Sequence, residues 1–135
     1  MLYPMFTYVL FIYLFVIVNF IFRVRAVRAK EVRLSYFQLF RAGEHVIPPH
    51  IQAGTNHMAN MFETPVLFFV VSVLAIVLGI ETVLLQILAW SYVAVRVVHA
   101  WIHSTYNDIL HRLVVFWVSL LLLLAMWLHV VISAA

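Results

Sequence analysis

Four apolar stretches, each about as long as a bilayer is thick, occupy most of this 135-residue chain. They cover residues 2–22, 56–79, 82–103 and 112–132. A helix needs about 20 apolar residues to cross the hydrocarbon core. Runs such as VLFFVVSVLAIVLG lack the strict alternation that a membrane barrel strand requires. The expected fold is therefore all-α: one transmembrane domain over residues 1–135, built as a four-helix bundle. Composition agrees. The chain is 67% apolar and 10% charged, whereas soluble domains carry about 25% charged residues. There is no room for a separate soluble catalytic domain, so any chemistry takes place in or beside the bilayer.

Residues 1–22 carry no charge. They lack the basic start and the small-residue cleavage site of a signal peptide, so they are read as a retained helix. The absence of cysteine excludes disulfides, thiolate metal sites and cysteine nucleophiles. A net charge of +3 does not point to nucleic acid, because the basic residues concentrate beside one helix.

That segment is the long first connection, residues 23–55. It holds Arg23, Arg25, Arg28, Lys30, Arg33 and Arg41 against Glu31 and Glu44. The positive-inside rule places it in the cytoplasm, and the same charges suit contact with anionic lipid. Pro48, Pro49 and Gly54 are expected to break the chain before the second span. The second connection, near Gly79–Glu81, is so short that spans two and three must form an antiparallel hairpin. The third, Ser104–His111, returns to the cytoplasmic face. Both termini then lie on the far side.

This topology brings polar residues of three spans to one depth. Glu63 lies about 10 Å into the second span at 1.5 Å per residue, and Arg96 lies at a similar depth in the third. Asn56, Asn60 and Glu63 share one helix face, as do Arg96, His99 and His103. Neither Glu63 nor Arg96 is tolerated alone in lipid, so the two are expected to pair. His57 and His111 are expected at the membrane interface, and His129 receives no role. Tyr106, beside Asn107, Asp108 and Arg112, is a candidate ligand contact or an interfacial anchor. His99 and His103 form HxxxH, a spacing able to present two imidazoles to a metal, with Glu63 as a possible third ligand. Only one such box is present, so no metal site is assigned.

The motifs NMFETP at Asn60–Pro65, RVVH at Arg96–His99, and Arg112 opening the fourth span resemble the MAPEG family, membrane-associated proteins in eicosanoid and glutathione metabolism. The resemblance covers nearly the whole chain, including the long basic first connection and the very short second one. It implies a homotrimer with clefts between subunits at the cytoplasmic face, in a bacterial-type inner membrane. It also implies glutathione as cosubstrate in a transferase or peroxidase acting on a hydrophobic small molecule. Carried over, Asn60, Glu63 and Arg96 hold the tripeptide's polar ends; this chain's own polar stripes and third connection add Asn56, His99, His103 and Tyr106 as candidate substrate-binding residues. Arg112 is the catalytic residue that stabilises the thiolate, since a nearby guanidinium favours the ionised thiol.

Glutathione-using members carry basic residues just before the family asparagine, where this chain has Asn56, His57 and Ala59. Where many members have tyrosine after the third-span arginine, this chain has His99 and His103. These departures motivate an alternative: a non-catalytic protein that binds membrane lipid or serves as an accessory subunit of a larger membrane complex.

Overall fold

The computed structural model describes residues 1–39 and 47–135. All the secondary-structure elements among its described residues are helices, with no strands. Helix α1 is Leu2–Arg28, the short α2 is Tyr36–Leu39, α3 is Pro49–Glu63, α4 is Pro65–Val77, α5 is Val83–Ser104 and α6 is Ile109–Ala134. Four units are long and apolar enough to cross a membrane: α1, α3 with α4, α5, and α6. The protein is an integral, multi-pass membrane protein. Arg41 and Glu44 of the basic connection lie outside the described residues.

Each boundary has a local cause. Pro48 and Pro49 begin α3 rather than precede it, Pro49 taking a first-turn position where the missing N–H is not needed. Gly54 is inside the helix, not at a break. The α3–α4 unit is interrupted at Thr64 because Pro65 has no N–H to continue the ladder. At the end of α4, Gly79 has φ +71°, and the Ile80 N–H reaches back to the Ala75 carbonyl at 2.8 Å. A glycine supplies that left-handed turn without strain. Thr82 caps α5, its Oγ1 accepting from the Leu85 N–H at 3.2 Å and lying 2.8 Å from His129 Nε2 of α6. Asp108 caps α6 by accepting from the His111 N–H.

The basic connection is partly folded. Ala26, Val32, Tyr36 and Ile51 form a small apolar cluster, and the Tyr36 hydroxyl bonds Gln52 of α3 at 3.2 Å. The main core lies at the opposite end of the bundle and gathers residues from α1, α4, α5 and α6, including Tyr8, Phe68, Leu85, Tyr92 and Met126. The Phe68 and Tyr92 rings stack at 4.6 Å, with Tyr8 edge-on to Phe68 at 5.9 Å. Met1's amino group pairs with Glu81 in the α4–α5 turn, joining the start of α1 to that hairpin.

Two contacts fix α1 against its neighbours. Arg96 of α5 is 1% exposed. Its Nε donates to the Tyr8 hydroxyl at 3.3 Å, and its Nη2 donates to the Asn60 carbonyl at 2.9 Å. Asn60 lies in the last turn of α3, where helical carbonyls run out of regular partners. Nearer the other end, α1 and α3 approach so closely that a Cβ on Gly54 would sit 2.3 Å from Asn19 Nδ2.

Both contacts predict stability changes. Tyr8→Phe removes an acceptor from a buried guanidinium and is expected to cost about 1–3 kcal/mol, read as a lower unfolding temperature in detergent. Gly54→Ala is expected to destabilise, because ~1–3 kcal/mol of overpacking exceeds the ~1 kcal/mol gained in helix propensity. In an Asn19→Ala background the clash is gone, and the same glycine substitution is expected to stabilise.

Candidate functional site

The residues singled out by spacing separate into three environments. The first is an open pocket of about 220 Å³ lined by Asn60, His99, Ile109, Arg112, Leu113 and Phe116. Three helices build it: α3 supplies Asn60, α5 supplies His99, and the first turns of α6 supply the rest. One wall is polar and the other is apolar.

Arg112 is half-buried and held from the α5–α6 turn. Its Nη1 donates to Asn107 Oδ1 at 2.9 Å and lies 3.4 Å from His103 Nε2. Asn107 adopts φ +48°, a left-handed conformation that asparagine tolerates better than most residues. Its N–H bonds the Ile102 carbonyl at 2.9 Å. The turn therefore aims one side chain at the guanidinium.

The second environment is a buried imidazole cluster. His57, His99 and His103 are 1%, 2% and 3% exposed. The His57 ring centre lies 5.4 Å from that of His99 and 4.9 Å from that of His103, and Phe15 packs edge-on to His57 at 4.8 Å. Both ring nitrogens of His57, and Nδ1 of His99 and of His103, have no hydrogen-bond partner among the described residues. No group of three or more potential ligands among the described residues is arranged to hold a metal.

The third environment is the outer surface. Asn56 is exposed and accepts from Gln52 Nε2 at 3.0 Å. Glu63 is exposed. Tyr106 is 51% exposed and packs edge-on to Trp101 and His111, at 5.9 and 5.8 Å. It is not among the residues lining the Arg112 pocket.

Two expectations are corrected. Glu63 and Arg96 do not pair: Glu63 faces outward, while Arg96 is held inside through Nε by Tyr8 and through Nη2 by Asn60, its Nη1 having no hydrogen-bond partner among the described residues. A hydroxyl and a backbone carbonyl solvate the guanidinium without burying a second charge, which is expensive in an apolar interior. His57 is not at the interface but in the bundle. Helix α3 buries the face bearing Ile51, Gly54, His57 and Met61, so His57 rather than Asn56 meets the α5 stripe. The helical spacing of those apolar and small residues carried the signal.

A larger apolar groove, of about 470 Å³, lies across α5 from the Arg112 pocket, between α1, α3 and α5. Phe11, Leu14, Phe15, Val97 and Trp101 contribute to its walls. Residues 97 and 101 face this groove while His99 faces the pocket, so α5 separates the two.

The sequence profile of the MAPEG family matches residues 1–132. No individual curated protein and no solved structure matches the chain. With the profile covering nearly all of a chain whose described helices include four long and apolar enough to cross a bilayer, this protein belongs to the MAPEG family.

Proposed function

We propose that this protein is a glutathione-dependent transferase or peroxidase acting on a lipophilic electrophile or peroxide in the membrane. The observation that carries the reading is the two-sided pocket at Arg112. A guanidinium held by Asn107 lines it, and a positive charge beside an incoming thiol favours its thiolate form. Ile109, Leu113 and Phe116 offer an apolar wall to the second substrate. Asn60 and His99 line the polar wall, and Glu63, one turn beyond Asn60, suits the tripeptide's ammonium group. His103 steadies Arg112 from behind. Tyr106 stands in the adjoining turn. Arg96 acts through Asn60, whose backbone it fixes.

A homotrimer completes this reading. The pocket of about 220 Å³ falls below the ~300–1,000 Å³ usual for small-molecule sites. Asn56 and Glu63 lie on the outer face of α3, and a carboxylate at this depth requires a partner. A second copy against this face would enlarge the pocket and surround both residues. The basic connection directs the site to the cytoplasmic face, in a bacterial-type inner membrane.

The apolar groove on the other side of α5 favours a second reading, a non-catalytic lipid-binding or accessory subunit. Calorimetric titration of glutathione into detergent-purified protein separates the two. Saturable binding is expected, weakened about tenfold in Glu63→Gln, the scale of one charge-assisted hydrogen bond. No binding at millimolar glutathione would favour the second reading. Arg112→Ala is expected to lower the turnover of a nitroaryl halide with glutathione by about 100-fold or more, as loss of one preorganised charge-stabilising donor does. Unchanged turnover would remove Arg112 from the mechanism.

A further inference from the structure

A second arginine-lined cavity lies where α1 leaves the apolar region. It has a volume of about 410 Å³, and Arg23 and Arg28 stand over a floor that includes Phe20, Val24, Val27 and Phe37. Its surroundings are strongly basic. Arg23, Arg25, Arg28, Lys30 and Arg33 face a single acid, Glu31, within residues 23–33.

The two arginines at the cavity differ in how they are held. Arg23 donates to Thr55 Oγ1 of α3 at 3.2 Å, and its guanidinium lies 5.4 Å over the Phe37 ring. Its charge is thereby fixed in place at the groove. Arg28 is exposed and has no hydrogen-bond or ion-pair partner among the described residues. The apolar floor is open: Phe20 is 65% exposed, and Leu34, also at the groove, is 70% exposed.

We infer that this groove is a binding site for one anionic phospholipid, with the phosphate between Arg23 and Arg28 and an acyl chain along Phe20 and Val24. Depth supports this occupant. Residues 1–22 are uncharged and Arg23 is the first charge of α1, so the two guanidinium groups stand where a bilayer's phosphates lie and the floor stands where its chains begin. Charge complementarity supports it too, since basic residues at the surface attract anionic lipid and guanidinium matches phosphate geometry.

A second copy of this chain is a poorer fit. Of its five acids, Glu44 lies outside the described residues, Glu63 stands about 12 Å further along α3 than Thr55, the residue that Arg23 bonds, and Glu81 lies at the opposite end of the bundle, bonded to Met1's amino group. Asp108 caps α6, and Glu31 shares the basic segment itself. The lipid site is separate from the Arg112 pocket and does not depend on the catalytic proposal.

The test is lipid retention by the full-length protein, measured by native mass spectrometry after equilibration with phosphatidylglycerol or phosphatidylcholine. Selective retention of phosphatidylglycerol is expected. Arg28→Gln should weaken it about tenfold, the scale of one charge-assisted hydrogen bond to the phosphate. Arg25→Gln, which removes the same charge outside the groove, should change it little. Val24→Trp, which fills the groove at constant charge, should abolish selective retention. Soluble glycerol phosphate should not compete.

Equal retention of the two lipids would overturn the proposal. So would equal losses in Arg25→Gln and Arg28→Gln, since that is diffuse attraction to the basic segment. Competition by glycerol phosphate would also overturn it, by showing an anion site without a lipid. The two-lipid comparison and the competition use the unmodified protein, so both remain decisive if a variant fails to fold.

Discussion

A guanidinium buried among membrane helices must be solvated by the protein itself, and Arg96 is solvated from two other helices at once. Tyr8 of α1 and the Asn60 carbonyl of α3 accept its hydrogen bonds. Its Nη1 has no partner among the described residues, so loss of either bond would leave a nearly inaccessible charge with a single acceptor in a medium with no water to replace the other. Proline enters this arrangement indirectly. Pro65 ends α3 at Glu63, which puts Asn60 in a terminal turn with a carbonyl to offer. One junction thus holds three helices in register, and His99 and His103 take their positions one and two turns further along α5.

The candidate site inherits this rigidity on one side and draws on a tight turn on the other. Asn60 is held through its backbone by Arg96, while Arg112 is held by Asn107 from the left-handed turn between α5 and α6. The charged group placed at the pocket is therefore oriented by neutral partners. An ion pair would have offset its charge, whereas an amide oxygen and an imidazole leave most of its field available to a ligand.

The outer surface of the bundle has a different logic. In the single chain only 11% of the apolar window of α1 is buried, against 39% for α5. Helix α1 is chiefly a lipid-facing or partner-facing element, and α5 is the internal one. Against an apolar exterior the polar exceptions stand out. Asn56 and Glu63 lie on α3, and the basic segment follows α1.

The number of spans, their helical nature and the clustering of polar residues at one end were legible in the sequence, because apolar length and charge position are set directly by the bilayer. The short Gly79–Glu81 turn was legible for the same reason, as no other path joins two spans so closely. The partner of Arg96 was not. Spacing put Glu63 and Arg96 at one depth but could not give the rotation of α3 about its axis. That rotation is set by burial of Ile51, Gly54, His57 and Met61, and it turned Glu63 outward. His57 was hidden by the same ambiguity: one residue along a helix is about 100° of rotation, enough to exchange an interior histidine for a surface asparagine. The sequence alone determined a four-span membrane protein with polar chemistry at one end. Only the tertiary structure decided which polar groups face each other, because that depends on how helices rotate to bury their best face.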